Sequence, residues 1–364
     1  MRVAYVHDWL VTYRGGEKVL EALLELYPEA PVYTLFYSPE AMPESIRNRT
    51  VYVPKWLNRL KRLRKALLPL LPAAIESLPL EDYDLIISTS SCVAKGVMVG
   101  PHAKHLCYMH SPMRYIWDQR QHYLDRNRSF SPKDFLIHVL SQRLRIWDVS
   151  SNNQVDSFIA NSSFVAKRIK RYYARDSRII HPPIELDRFF PHENKGRKGD
   201  YYLAAGAFVS YKRFDLAIAA CEELGVKLKV IGSGPDEKRL RKLAGSNTEF
   251  VIKPNADEWV KLFQGAKALL FPGIEDFGIT AIEALAAGAP LIAFRAGGAL
   301  DFVEPNQTGI FFEQPTVASL KEAIRRFETL RFDDEVLKSF AERFSKKSFL
   351  ENIRRELTAL EGKS

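Results

Sequence analysis

Short apolar runs rich in Val, Ile, Leu and aromatic residues alternate with segments of helical period along almost the whole chain. "RVAYVHDWL" leads into "GGEKVLEALLELY", and "YDLIISTS", "KHLCYMHS" and "SFIANSSFVAKRIKRYY" keep the rhythm. Runs of this kind read as strands buried on both faces, and parallel strands need helical crossovers between them. The chain is therefore expected to be α/β, with parallel sheets covered by helices. The rhythm breaks at the proline-bearing and then strongly polar "IIHPPIELDRFFPHENKGRKGD" and restarts with "YYLAAGAF", "DLAIAACEELG", "VKLKVIGSGP", "KALLFPG" and "ITAIEALAAG". At 364 residues the chain is too long for one ordinary core. Two α/β domains are predicted, residues 1–184 and 185–345. The stretch "SFLENIRRELTALEG", within about 346–364, reads as an amphipathic helix returning to the first domain. Open parallel sheets bind ligands beyond the carboxyl ends of their strands, so the chemistry is sought in strand-to-helix turns, with two facing sheets making a cleft.

Charge narrows the partners. The formal net charge is +9 and the pI about 9.3, which favours anionic partners: nucleic acid, anionic lipid or a phosphorylated small molecule. No nucleic-acid-binding module is recognisable and the basic residues are spread over both domains, so nucleic acid is not expected as a partner. The three cysteines, Cys92, Cys107 and Cys221, have neither zinc-ligand nor disulfide-framework spacing, which fits a reducing cytoplasm. No apolar stretch is long enough to span a bilayer.

"FPGIEDFGITAIEALAAGAPLIAF" carries two glutamates in an otherwise apolar or small stretch. It reads as a strand, a turn holding Glu275, Asp276, Phe277 and Gly278, and a helix from Ile279 that ends near Gly288. Backbone N–H groups at that helix start are free to bind an anion. Glu283 lies about two turns from Glu275, deep enough to be pressed against the sheet, where a carboxylate needs a partner. A vicinal diol such as a ribose offers two donors to one carboxylate; solvent or a lysine is the alternative partner. "SYKRFD" places Lys212 and Arg213 in the loop after the first strand of the second domain, as cations for an anionic ligand or as a solvated basic turn. "RGGEKVLEAL" places Gly15 and Gly16 before a helix, where backbone can approach a phosphate. His110 follows the apolar strand of "CYMHSPMRY", and Arg114, Tyr115, Trp117 and Asp118 lie in the loop beyond it, as an acceptor floor or as packing. Gly232 and Gly234 of "VIGSGP" make a further turn after a strand, fitted to line a nucleotide. Asp82 and Asp84 have the spacing of a metal-binding D-x-D but only introduce a strand, so no metal site is expected. Residues 55–71, "KWLNRLKRLRKALLPLL", combine six basic residues with Trp56, Leu57, Leu60, Leu63, Leu67 and Leu68 at helical spacing. Such a helix either lies on an anionic membrane surface or faces its own domain.

The pattern "E-D-F-G-I-x-x-I-E-A-L-A-A-G-x-P", together with "GGEKVLEAL", "YMHSPMRYIWD", "IANSSFVAKRI", "HPPIELDRF" and "FVSYKRFDLAI" in that order, resembles the retaining family 4 glycosyltransferases of GT-B fold, two Rossmann-like domains facing across a cleft. "HSPMRYIWD" with "YKRFDLAI" is most similar to the GDP-mannose-dependent mannosyltransferases of O-antigen and related surface polysaccharides. The resemblance implies a nucleotide-sugar donor bound by the second domain, with Gly234, Phe277, Gly278, Ile279 and Glu283 as binding residues and Glu283 on the ribose. It implies that Glu275 and His110 lie near the transferred sugar, Gly15 and Gly16 face the diphosphate, and no metal or other cofactor is required. Family members place an arginine directly after the glycine at Gly206. Here Ala207 stands there, which makes Arg213 the expected substitute, and the resemblance implies that Lys212 and Arg213 stabilise the departing diphosphate. A saccharide or lipid-linked saccharide acceptor is implied, and with it a cytoplasmic enzyme peripheral to the inner face of the membrane. A UDP-sugar donor, and a GT-B epimerase or hydrolase of sugar nucleotides, are the competing expectations.

Overall fold

The computed structural model describes residues 1–117, 132–190 and 199–362. The chain divides into two compact units, residues 1–182 with 349–364, and residues 183–348. The first unit holds a seven-stranded sheet of β1 (Val3–His7), β2 (Val32–Thr34), β3 (Val51–Tyr52), β4 (Leu85–Ser90), β5 (Lys104–Met109), β6 (Ser157–Ala160) and β7 (Arg178–Ile179). The strands lie in the order β3-β2-β1-β4-β5-β6-β7 and every pairing is parallel. The second unit holds β8 (Tyr201–Ala205), β9 (Lys227–Ile231), β10 (Thr248–Val251), β11 (Leu269–Phe271), β12 (Leu291–Phe294) and β13 (Gly309–Phe312), again all parallel, in the order β10-β9-β8-β11-β12-β13. The strand order reverses between β1 and β4 in one unit and between β8 and β11 in the other. Loops diverge at such points, which is where an open α/β sheet takes its ligand.

The helices that matter here are α1 (Gly15–Leu23), α2 (Pro132–Ser150), α3 (Ser163–Tyr173), α4 (Phe214–Leu224), α5 (Ala256–Gln264), α6 (Ile279–Ala286) and α7 (Lys346–Glu361). Their ends follow local chemistry. Ser162 caps α3 by accepting the Val165 N–H at 3.0 Å, and Asn255 and Glu258 form a reciprocal capping box on α5. Gly278 (φ 117°) and Gly288 (φ 81°) bracket α6 with backbone that a side chain would strain. Between them Ala281, Ile282, Ala284, Leu285 and Ala286 are fully buried, and the small side chains let α6 lie close to its sheet. In the first unit β1, β4 and β5 are sheathed on both faces; Tyr5, Ile86, Ile87 and Leu106 have essentially no exposure. Each such aliphatic side chain contributes about 1.5 to 3 kcal/mol on burial. Phe349, Leu350, Ile353, Leu357 and Leu360 of α7 join this first core.

Residues 55–71 do not form the single amphipathic helix that their spacing predicts. They break into a helical turn at Lys55–Asn58 and two 3₁₀ turns at Lys61–Leu63 and Leu68–Leu70. Like charges three or four apart, such as Lys55 and Arg59, Arg59 and Arg62, or Lys61 and Lys65, repel along a helix face, and no acid lies among them. Pro69 removes a backbone donor at the far end. Among the described residues no helix is long and apolar enough to cross a membrane.

Candidate functional site

In the second unit, three loops at the carboxyl edge of the sheet come together around the strand-order reversal. The loop after β8 begins at Gly206, whose φ of 137° is backbone that a side chain would strain. A Cβ there would meet the Lys212 ammonium at 2.6 Å, so Lys212 fills the space that the glycine leaves. The loop after β11 runs through Gly273, where a Cβ would stand 2.6 Å from the Tyr211 carbonyl and from Cα of Lys212. These close backbone approaches bring Lys212 Nζ to 2.9 Å from Glu275 Oε1, with side-chain exposures of 11% and 16%. The loop after β12 closes the third side: Gly298 N donates to the Glu275 carbonyl at 2.8 Å, and a Cβ on Gly297 would meet the same oxygen at 2.5 Å. A largely buried ammonium and carboxylate are thus fixed across the switch point, where solvent screens them little.

Arg213 goes elsewhere. It takes left-handed backbone (φ 52°) at the start of α4 and grips Asp215 through Nε at 3.1 Å and Nη2 at 3.1 Å. Lys212, rather than Arg213, therefore stands over Gly206, beside the position where the resembled family carries its arginine. Glu283, on α6, is buried and accepts the Trp259 indole N–H of α5 at 3.4 Å. Phe277 is in the core, Asp276 is buried, and Ile279 opens the helix. Gly232 (φ 147°) and Gly234 both abut backbone of the β8 loop; their Cβ positions lie 1.9 Å from the Gly206 carbonyl oxygen and 2.5 Å from that of Phe208.

The first unit has a constellation at its own switch point. Asp8, directly after β1 and almost fully buried, accepts four backbone N–H groups from the turn after β4. Ser91 N (2.6 Å) and Cys92 N (2.9 Å) reach one oxygen, and Val93 N and Ala94 N (2.7 Å each) reach the other. Glu17, also buried, accepts Arg14 N at 2.9 Å and so holds the turn carrying Gly15 and Gly16. His110 borders that turn, its Nε2 being 3.5 Å from where a Gly16 side chain would begin. His7 hydrogen-bonds Thr89 Oγ1 through Nδ1 at 2.6 Å and lies 4.0 Å from Glu17. Burial pushes the His7 imidazole down to about 4 and the Glu17 carboxyl up, so this contact is not an ion pair at neutral pH. Asp8, His7, Glu17 and Trp259 were not singled out in the sequence; a polar residue directly after the first apolar run, as in "VHD", is the signal that finds Asp8.

The described residues that follow His110, as far as Trp117, are packed rather than open. Tyr115 OH contacts Cys92 Sγ at 2.5 Å. Trp117 donates its indole N–H to Asp148 at 2.7 Å and stacks on Tyr172 with ring centroids 4.5 Å apart. Asp148 also ion-pairs at 3.2 Å with the fully buried Lys95, so Trp117 belongs to a buried polar cluster, the packing alternative for this loop. Arg114 Nε reaches Ser111 Oγ at 3.4 Å, and Asp118 lies outside the described residues. Asp82 and Asp84 sit at the amino end of β4, holding Arg2 and the chain start, on the edge opposite the loops described above. Among the described residues no group of three or more His, Cys, Asp or Glu side chains is placed to hold a metal ion.

Residues 13–188 match the profile described as Glycosyltransferase Family 4, and residues 187–348 that described as Glycosyl transferases group 1. The chain belongs to the glycosyltransferases of this group 1/family 4 type. Its two parallel sheets match solved GT-B structures over nearly their full length. Anabaena HepE in complex with UDP superposes with a TM-score of 0.71 at 16% identity, over 99% of this chain and 100% of that one. The lipopolysaccharide outer core galactosyltransferase WaaB in its apo form gives 0.69 at 16% identity, over 99% of both chains. Among curated relatives, a glycosyltransferase of Methanocaldococcus jannaschii is 26% identical over 224 residues, 59% of this chain and 61% of its own. The D-inositol 3-phosphate glycosyltransferase of Mycobacteroides abscessus is 29% identical over 181 residues, 43% and 41% of the two chains. The chain thus spans less than two thirds of the length of these curated relatives.

Proposed function

We propose that this glycosyltransferase moves mannose from GDP-mannose to a saccharide acceptor, lipid-linked, in surface polysaccharide assembly at the cytoplasmic face of a membrane, with retained anomeric configuration. The observation that carries the reading is the Lys212–Glu275 pair fixed across the switch point of the second sheet. Lys212 supplies positive charge to the departing diphosphate, as preorganised donors do where charge develops. Arg213 adds to the field from its bridge with Asp215. Glu275 and His110 orient the transferred sugar, Glu283 takes the ribose hydroxyls, and the backbone of Gly278 and Ile279 with that of Gly234 lines the nucleotide. Gly15 and Gly16 admit the phosphates to the start of α1, and no metal takes part. The bond between the anomeric carbon and the phosphate oxygen breaks as the acceptor oxygen attacks from the same face. The acceptor proton passes to that departing phosphate oxygen.

A UDP-sugar donor is the second reading, and the UDP in the HepE complex favours it. Isothermal titration of GDP against UDP separates the two. Tighter binding of GDP, followed by mannosyl transfer to lipid-linked saccharides, is expected; tighter binding of UDP overturns the donor. Release of free mannose or of an epimer without acceptor would replace transfer by hydrolysis or epimerisation.

A further inference from the structure

The break-up of residues 55–71 into short turns leaves a surface that the donor chemistry does not use. Trp56, Leu63 and Leu70 are 62%, 56% and 59% exposed, and Leu60 joins them. Leu57 and Leu71 point inward and anchor the stretch to the core that includes Ile75 and Phe36. The basic residues divide in the same way. Lys61 reaches back to Ser38 Oγ at 2.7 Å and Glu40 at 3.5 Å, and Arg64 donates to the Lys61 carbonyl at 3.2 Å. Lys55, Arg59, Arg62 and Lys65 are exposed, and among the described residues no carboxylate pairs with them. Four large apolar side chains therefore stand among four uncompensated cations.

We propose that this surface docks on an anionic lipid bilayer. Exposed apolar side chains on a water-soluble surface mark a binding face, and the charge decides the occupant. A membrane interface takes both halves of the pattern: Trp and Leu enter the boundary between headgroups and acyl chains while lysines and arginines meet lipid phosphates. A nucleic acid would use the cations and leave Trp56, Leu60, Leu63 and Leu70 in water. The docking does not depend on which sugar nucleotide the second unit takes, so it stands or falls separately from the donor reading.

Co-sedimentation of the full chain with vesicles tests it. Vesicles containing phosphatidylglycerol should retain the wild type, and vesicles of phosphatidylcholine alone should bind at least about tenfold less, with salt weakening the anionic binding. Arg59→Glu with Arg62→Glu, and separately Trp56→Ser with Leu63→Ser, should each reduce binding by at least about tenfold at unchanged thermal stability, because all four side chains face water. Arg325→Glu with Arg326→Glu, on the exposed side of a helix in the second unit, carries the same charge change and should leave binding near wild type. Equal binding to both vesicle types, or equal loss in the Arg325/Arg326 variant, overturns the proposal. So does self-association in the absence of lipid that the Trp56/Leu63 variant abolishes, which would assign the surface to a second copy of the chain.

Discussion

Lys212 and Glu275 depend on each other. With exposures of 11% and 16%, each supplies the counter-charge that keeps the other tolerable out of water, so removing one strands its partner. Lys212→Ala is expected to lower turnover by roughly a hundredfold or more, the usual effect of deleting a preorganised charge stabiliser. Steady-state kinetics with saturating donor measure this, and near-normal turnover would remove Lys212 from the chemistry. Glu283, buried on α6, accepts the Trp259 indole N–H at 3.4 Å, a long contact. Glu283→Ala should weaken donor binding by about 1.5 to 3 kcal/mol, the range for hydrogen bonds to a charged group. Trp259→Phe should cost about 1 kcal/mol through lost orientation of the carboxylate. Titration calorimetry reads both, and unchanged affinity in Glu283→Ala would reject the ribose role.

Among the elements, the glycine-built loops of the second unit hold the site together. Gly232 takes φ 147° with its Cβ direction 1.9 Å from the Gly206 carbonyl, while Gly225 takes φ 68° with nothing within 4 Å. Gly232→Ala should therefore cost about 3 kcal/mol or more, combining backbone strain with a clash that no side-chain rotation relieves, and Gly225→Ala only about 1 kcal/mol. Urea denaturation of the two variants checks the contrast; equal losses would mean that the close approach carries no weight. The same loops show what a sequence makes legible. The strand–turn–helix around Glu275 and Glu283 was readable because the apolar run, Gly278 and Gly288 each fix one boundary. Where Lys212 and Arg213 point was not readable, because adjacent side chains diverge and only the tertiary contact with Gly206 decides between them. Nor were the short edge strands β3 and β7, two residues each, which carry too little period to register. Residues 55–71 had a helical spacing that charge repulsion and Pro69 override.

For the whole molecule, acid stability reports on the first unit. His7 and His105 are both buried and pushed down to about 4 from an ordinary 6.5. His105 has its tautomer fixed: Nδ1 donates to the Gln154 carbonyl at 2.7 Å, so Nε2 accepts from Ser88 Oγ at 2.7 Å. Between pH 6.5 and 4 the unfolded chain takes up protons that the folded chain refuses. The stability is therefore intact above that window and falls as pH drops through it, by a loss on the order of 3 kcal/mol per histidine at its lower end. Glu17, raised by burial, slopes the opposite way and loses stability as pH rises. Chemical denaturation across this range should show the fall, and His105→Gln should make it shallower; a flat profile would contradict the burial account.

The central claim is that the second unit binds a sugar nucleotide at Lys212 and Glu275. Its most direct test is a crystal structure of the protein with GDP-mannose bound. The account predicts the diphosphate within hydrogen-bonding reach of Lys212 Nζ, the mannose hydroxyls at Glu275 and the ribose at Glu283. Donor density lodged away from the loops after β8 and β11, with Lys212 and Glu275 still paired only to each other, would contradict it.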